Sequence, residues 1–295
     1  MVQQDPHGLV QQAEEHFESQ LDQVADRLKD TTLPIRVIAL AGPSSSGKTT
    51  SASKLCAKLQ ERGVPCQRIS LDDFYLGDGR YPLREDGTPD VESVESLDLA
   101  AFSQGMAELL ETGSAWLPVF DFLTRQPAPQ RQHCQLEPKE MVVIEGLHAL
   151  NPKLTGTIPQ EQLFRLFVRT DTAFYQGDTP VLLPNQVRLI RRLVRDFHHR
   201  GYGADHTFSV WPTVLEGEQL YIRPYDSLAQ VAVDSTLWYE PCVLHHHLGP
   251  ILQGMDPQSP HYPQMLHLWQ VMEEFDDLPR QAISGHSLLQ EFVAP

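Results

Sequence analysis

The chain has 295 residues and a formal charge of −16, from 39 acidic and 23 basic side chains. Such a surface repels a phosphate backbone, so nucleic acid is not an expected partner. Hydrophobic residues make up 41% of the chain, enough for a globular core. A basic leader followed by an apolar run is missing, and eighteen apolar residues never run together. We therefore expect a cytoplasmic enzyme without a membrane partner, which could also form a homo-oligomer.

The first predicted element is an amphipathic helix over residues 10–28. Phe17, Leu21, Val24 and Leu28 recur every three or four positions among acidic and polar residues. We expect residues 1–32 to pack this helix on the main body of the protein.

An alternation of strands and helices follows. Residues 35–41 form a short apolar run rich in β-branched side chains, which is typical of a strand buried on both faces. Good helix formers cover residues 49–62 and end at Gly63, and residues 65–71 read as a second strand. Strand, helix and strand in this order predict a parallel sheet.

The same rhythm returns later in the chain. Further predicted elements are a helix over 99–110, strands over 141–144, 163–168 and 229–237, and a basic helix over 186–199. We predict an α/β fold of the P-loop NTPase type, with helices on both faces of a parallel sheet and helical additions at both termini. Residues 33–240 would be the core, with a lid around 186–203, and residues 241–295 a helical extension of the same domain.

The segment from Gly42 to Thr49 reads GPSSSGKT, the pattern of a phosphate-binding loop between a strand and a helix. Glycines let the backbone approach phosphate, the loop amides hold the anion, and Lys48 adds a positive charge. The residues predicted to bind ATP are Gly42, Pro43, Ser44, Ser45, Ser46, Gly47, Lys48, Thr49 and Thr50. Chance similarity in a serine-rich turn is the alternative, but the flanking strand and helix are the context that the loop requires.

Acidic residues follow two of the predicted strands. Asp72 and Asp73 stand in LDDFY, and Glu145 ends the strand over 141–144. Open α/β sheets bind ligands at this edge, where an aspartate could accept a hydroxyl proton. Thr49 and Glu145 could hold magnesium. For each acidic residue a turn or a strand-end cap remains the alternative.

Five arginines lie within thirteen residues of the basic helix: Arg188, Arg191, Arg192, Arg195 and Arg200. In so acidic a chain these guanidinium groups could neutralise a transferred phosphoryl group. A solvated helix face is the alternative.

Taken together, these motifs resemble the uridine kinase and phosphoribulokinase family of P-loop kinases. The resemblance rests on GPSSSGKTT, LDDFY, LPVFDFLTRQP, IEGLHALNP and LIRRLVRDFHHRGY, in that order, over roughly residues 35–240. YPLREDGTPDVESVESLDL further resembles the uridine kinase-like nucleoside kinases that often carry a threonyl-tRNA synthetase-like front domain, of which only the kinase part is expected here.

The resemblance implies roles for individual residues. It implies that Asp72, rather than Asp73, is the general base, that Glu95 binds the ribose of the acceptor, and that Glu145 binds the metal. It implies that the arginine helix is a lid, in which Arg191, Arg192 and Arg195 approach the phosphates. The residues expected at the substrate are Asp72, Tyr75, Glu95, Phe120, Phe122, Arg125 and Arg188, with Asp121 beside them.

Three positions depart from the family pattern. Arg125 stands where uridine kinases have a pocket histidine, and Tyr202 and Val210 stand where they have an arginine and a glutamine of the lid region. We therefore expect an ATP- and magnesium-dependent kinase of a small nucleoside-like molecule, and keep two alternatives. One is a kinase of an anionic acceptor such as a sugar phosphate or an acid, which Arg125 would suit. The other is a regulatory nucleotide-binding module.

Overall fold

A computed structural model of the chain describes residues 5–278 and 280–293. Its strands are β1 (Val37–Ala41), β2 (Cys66–Ser70), β3 (Ser114–Leu117), β4 (Phe120–Asp121), β5 (Gln126–Pro127), β6 (Gln132–Gln135), β7 (Met141–Glu145), β8 (Leu163–Arg169), β9 (Phe174–Gln176), β10 (Thr179–Leu182) and β11 (Val231–Asp234). Its helices are α1 (Pro6–Lys29), α2 (Lys48–Glu61), α3 (Leu99–Thr112), α4 (Pro152–Thr155), α5 (Pro184–Arg195), α6 (Ala204–Gly217), α7 (Arg223–Asp226), α8 (Glu240–Gln253), α9 (Tyr262–Met272) and α10 (Gln290–Val293). In the described ranges, no helix is both long and apolar enough to cross a bilayer.

A parallel sheet forms the centre of the described chain, with the strand order β11-β8-β1-β7-β2. In its register Glu145 stands opposite both Leu40 and Ser70. The carboxyl ends of β1, β2 and β7 therefore meet at one edge, and the segments that follow these strands lie side by side. This shared edge brings the predicted phosphate loop, LDDFY and Glu145 together.

Helices cover both faces of this sheet because the side chains of β1 alternate between two hydrophobic clusters. Ile38 and Leu40 pack into one cluster with α1, α2, α5 and α8. Val37 and Ala39 pack into the other with α3. The predicted α/β fold, with helical additions at both termini, is confirmed.

Helix α1 is longer than the predicted 10–28 but buries the predicted stripe, with Phe17 and Leu21 fully inaccessible to solvent. Its outer side meets α2 through five ion-pair contacts that join Glu18, Asp22 and Asp26 to Lys54, Lys58 and Arg62. Ion pairs at a protein surface contribute about 0–1 kcal/mol each. The apolar stripe is therefore the main source of the helix's stabilisation.

Two features differ from the sequence expectations. The basic helix α5 ends at Arg195 and continues as a π turn over Asp196–Arg200, which stops at the left-handed Gly201. Three two-stranded ribbons, β3–β6, β4–β5 and β9–β10, were not predicted. Their strands have two to four residues, too few to establish a two-residue periodicity.

Phe17→Ala should lower the free energy of unfolding by about 3–5 kcal/mol, because it removes a fully buried aromatic ring between α1 and the sheet. Gln11→Ala, at an exposed position of the same helix, is the control and should change it by less than about 0.5 kcal/mol. Urea titrations measure both. Equal stability of the two variants would show that α1 is not anchored through this stripe.

Candidate active site

The turn between β1 and α2 has the backbone of a phosphate loop. Gly47 caps α2 in the left-handed conformation with φ of +79°, and Ser45 also has a positive φ of 59°. A Cβ atom on Gly42 would lie 2.1 Å from the Val168 carbonyl oxygen of β8. Glycine is therefore required at both ends of the turn, once for conformation and once for space.

Two buried hydroxyls and a lysine line this loop. The hydroxyls of Ser45 and Ser46 are buried and make no hydrogen bond within the described residues. Lys48 donates to the carbonyl of Pro43 in its own loop at 3.0 Å. Burial lowers the pKa of Lys48, while Glu145 and Asp72 oppose this shift. Unpaired buried hydroxyls beside a lysine fit an oxyanion, so the loop is suited to phosphate.

A hydroxyl and a carboxylate meet beside the loop. The Thr49 hydroxyl lies 3.4 Å from Glu145 Oε1. Glu145 is buried, and Arg68 Nη1 lies 2.9 Å from the same oxygen. Burial, followed by the charge of Asp72, raises the pKa of Glu145. This set of oxygen donors is of the kind that magnesium prefers, and Arg68 supplies the positive charge in this structure.

The two aspartates of LDDFY lie in one 3₁₀ turn, Leu71–Phe74, but face different surroundings. Asp73 accepts the backbone N–H of Phe120 at 3.2 Å, and burial raises its pKa. Burial is the largest influence on the pKa values of Lys48, Glu145 and Tyr75, and the negative charge of Asp72 contributes to raising each of them. Asp72 therefore lies near the charged groups of the phosphate loop, whereas Asp73 holds the neighbouring ribbon.

Aromatic rings surround Tyr75. Its ring meets Tyr81 edge-on at 6.2 Å and Phe120 at 5.7 Å, and Phe120 in turn contacts Phe122 at 5.1 Å. Phe122 is 60% exposed, so it lies at the rim of this group. Tyr75, Phe120 and Phe122, all predicted at the substrate, are brought together.

Arg125, also predicted at the substrate, belongs to an exposed turn. It has a positive φ of 55° and pairs with Asp78 at 3.1 Å, and its side chain is 54% exposed. Asp121, which was predicted to lie beside the substrate-binding residues, accepts the backbone N–H of Leu123 at 2.8 Å and so fixes the same turn. The guanidinium is thus neutralised by a carboxylate of the protein itself.

Glu95, predicted to bind the acceptor's ribose, is exposed and pairs with Lys153 of α4. The structure brings Glu92 to the site instead: Asp72 raises its pKa, and Arg192 and Lys48 lower it. Burial is the largest influence and raises the pKa of Glu92 to about 7. The segment VESVESLD offers both glutamates; Glu95 lies within a 3₁₀ turn over Val94–Ser96, which sequence periodicity does not reveal, and Glu92 precedes that turn.

His148 is a site residue that the sequence reasoning did not single out. It lies three residues beyond Glu145, is only 3% exposed, and neither ring nitrogen makes a hydrogen bond within the described residues. The Glu92 backbone carbonyl approaches the ring without hydrogen-bond geometry. Burial lowers the pKa of His148 to about 4, so the ring is neutral near pH 7. A neutral ring with a free donor and a free acceptor can bind a hydroxyl.

Two arginines of α5 are fully buried against the phosphate loop. Arg188 pairs with Glu218 at 2.6 Å and donates to the Ser44 carbonyl at 3.2 Å. Arg191 pairs with Glu240 at 2.6 Å and donates to the Ser45 carbonyl at 3.3 Å. Both arginines therefore fix the backbone of the loop.

The direct phosphate contact expected of Arg191 is not possible in this arrangement. Its Nε and Nη2 donate to Glu240, and its remaining N–H groups donate to the Ser45 carbonyl and to the hydroxyl and carbonyl of Ser235. Arg188 is likewise occupied by protein partners, which include Asn185. Because the charges of Arg188 and Arg191 are buried and paired, this side of α5 packs in the core, and the closing of residues 186–203 as a lid stays a prediction.

Arg192 and Arg195 remain on the side of α5 that faces the site. Arg192 donates to the Ser44 hydroxyl at 3.0 Å, pairs with Asp196 at 3.3 Å, and opposes the raising of the Glu92 pKa by burial. Burial lowers the pKa of Arg195 to about 10, and its buried Nε makes no hydrogen bond within the described residues. These two guanidinium groups are thus placed to meet an anion bound at the loop.

A phosphate loop after the central strand of a parallel sheet defines a P-loop nucleotide-binding protein. The sequence signature described as the Phosphoribulokinase / Uridine kinase family matches residues 37–237. The chain belongs to this family of P-loop kinases.

Individual relatives agree with this assignment. A uridine kinase of Brevibacillus brevis is 25% identical over 198 residues, which are 67% of this chain and 83% of that protein. A uridine kinase of Proteus mirabilis is 26% identical over 200 residues, or 67% of this chain and 82% of that protein. The structure titled a possible uridine kinase from Bacillus stearothermophilus has a TM-score of 0.50 and 18% identity, and the match covers 73% of this chain and 98% of that one. That likeness shows a shared fold.

Arg191→Met should lower the free energy of unfolding by about 3–5 kcal/mol, because it leaves Glu240 buried without its partner. The double variant Arg191→Met/Glu240→Met removes both charges and should recover part of this loss. Arg200→Met, which breaks a partly exposed pair with Asp196, is the control and should cost at most about 1 kcal/mol. Chemical denaturation measures all three. A double variant no more stable than Arg191→Met would contradict the buried-pair account.

Proposed function

We propose that this protein is an ATP- and magnesium-dependent kinase that transfers the γ-phosphoryl group to a hydroxyl of a neutral, nucleoside-like molecule. The observation that carries the proposal is the gathering of Lys48, Asp72 and Glu145 beside a loop whose buried hydroxyls make no hydrogen bond in the part of the chain that the structure describes. This arrangement combines a phosphate cradle, a metal ligand and a candidate base at one sheet edge. Relatives named uridine kinase support the nucleoside-like acceptor.

The residues present fit the two bound groups. The loop amides, the hydroxyls of Ser45 and Ser46, and Lys48 would hold the triphosphate, and Thr49 and Glu145 would hold magnesium. The nucleotide supplies the phosphoryl group, and the metal neutralises charge on its oxygens. For Lys48 to reach phosphate, its ammonium group exchanges the Pro43 carbonyl for an anionic oxygen.

Asp72 would orient the acceptor hydroxyl and take its proton. It is the better candidate because Asp73 already accepts a backbone N–H. Arg192 and Arg195 would approach the phosphoryl oxygens, since both face the site and Arg195 has an unused buried donor. Arg191 contributes by holding the loop that these groups serve. The protein therefore acts mainly by positioning and by charge.

The electrostatics of the acceptor side favour a neutral molecule. Asp72, Glu92 and the neutral ring of His148 lie there, and the two carboxylates would repel an anionic acceptor. Arg125, on which the anionic alternative depended, is paired with Asp78. The carboxylate of Glu92 can accept hydroxyl hydrogen bonds, and the ring nitrogens of His148 make no hydrogen bond within the described residues, so the two side chains suit hydroxyl groups such as those of a ribose. Tyr75 is available for an apolar or ring contact.

Asp72→Asn should lower kcat by about 100- to 10,000-fold and leave ADP binding intact, because the amide keeps the shape of the side chain but cannot take a proton. Asp73→Asn is the matched control: its amide oxygen can still accept the Phe120 N–H, so kcat should stay within a few-fold of wild type. A coupled assay of ADP release with uridine and other neutral nucleosides measures both. A larger loss of kcat in Asp73→Asn than in Asp72→Asn would show that Asp73, and not Asp72, is the base.

The rate with a nucleoside at subsaturating concentration should rise with pH through about 7. The pKa of Glu92 is raised to about 7, so its carboxylate is mostly protonated at pH 6 and ionised at pH 8, where it accepts hydroxyl hydrogen bonds. Hydrogen bonds to charged groups contribute about 1.5–3 kcal/mol, so Glu92→Gln should lower kcat/KM about 10- to 150-fold at pH 8. It should also flatten the profile. Glu95→Gln is the control, and an unchanged profile in Glu92→Gln would exclude this role.

A further inference from the structure

The C-terminal segment of the described chain packs directly on the phosphate loop. Leu288, Leu289 and Phe292 are fully buried, and the Arg191 guanidinium lies 5.2 Å from the centre of the Phe292 ring. A Cβ on Gly47 would lie 2.6 Å from a methyl carbon of Leu288. This segment, which lies beyond the residues matched by the family signature, is therefore part of the wall of the nucleotide site.

One side chain of this segment enters the loop itself. The carboxylate of Glu291 in α10 accepts the Thr50 hydroxyl at 2.6 Å and the Thr50 backbone N–H at 3.3 Å, both with its Oε2. Burial lowers the pKa of Lys48 and of Arg195, and the charge of Glu291 opposes both shifts, so the carboxylate lies near two cations of the site. The carboxylate thus has the surroundings of a bound anion: two donors at a helix start and two nearby positive charges.

These donors are ones that a nucleotide phosphate would use. Thr50 lies in the first turn of α2, where backbone N–H groups point out of the helix and favour negative charge. Phosphate and carboxylate cannot both accept the same N–H and hydroxyl at full strength, and two anions so close repel each other. Binding of a nucleotide that reaches Thr50 must therefore displace Glu291 or bear its repulsion.

We propose that Glu291 occupies the position of the nucleotide phosphate that binds next to Thr50, and that this carboxylate must leave before a nucleotide binds fully. The inference rests on the nucleotide part of the proposed function and does not depend on the acceptor. It makes the C-terminal segment a determinant of nucleotide affinity. The apparent dissociation constant equals the intrinsic one divided by the fraction of molecules in which the carboxylate has left the site.

Isothermal titration of the full chain with ADP and magnesium tests the proposal without an acceptor. Glu291→Gln keeps the size of the side chain and removes its charge, so ADP should bind about tenfold more tightly than to wild type. Glu274→Gln, which removes an exposed charge from the same C-terminal region, is the charge-matched control and should leave the dissociation constant unchanged. Glu291→Ala should bind ADP at least as tightly as Glu291→Gln.

The alternative role is structural, as a cap on α2, and the same proteins separate it. A cap would make Glu291→Gln melt at a lower temperature without any gain in affinity, and that result would overturn the proposal. Binding of ADP to neither wild type nor Glu291→Gln would overturn it together with the nucleotide site. If Glu291→Gln binds ADP more tightly but wild type phosphorylates no nucleoside, this inference is supported and the proposed kinase reaction is not.

Discussion

The buried ion pair between Arg191 and Glu240 is the interaction on which the rest of the site depends. Burial raises the pKa of Glu240 and Arg191 opposes that shift, so each charge is stable in the core only because the other is present. The guanidinium uses its remaining donors on the Ser45 and Ser235 carbonyls. One buried pair therefore ties the phosphate loop to the segment after β11 and to α8.

This constraint divides the arginines of α5 into two groups. Arg188 and Arg191 face the core and hold loop carbonyls. Arg192, which also pairs with Asp196, and Arg195 face the site, and the buried Nε of each makes no hydrogen bond within residues 5–278 and 280–293. A single helix thus both fixes the loop and supplies charge to it. Helices α8 and α10 support the same arrangement from outside the region that the family signature covers, because they contribute Glu240 and Phe292.

Two carboxyl groups of the site respond to the same neighbours. Burial, with the charge of Asp72, raises the pKa of both Glu145 and Glu92, while Lys48 opposes each shift. Any added cation would favour ionisation of Glu145 and Glu92, and any added anion would oppose it. Glu291 lies among the same charges, close to Lys48 and Arg195. Nucleotide, metal and acceptor would therefore be linked through the charge balance of this edge.

The sequence by itself determined the sheet, the phosphate loop and the aspartates after β2, because these depend on short-range patterns: apolar runs, glycines at fixed spacing and acids at strand ends. It could not tell Glu92 from Glu95, since a 3₁₀ turn decides which carboxylate faces inward. Nor could it separate Arg191 from Arg192, whose partners Glu240 and Ser44 lie far away in the chain. Only the tertiary structure decided these points, because burial and pairing depend on contacts between distant segments.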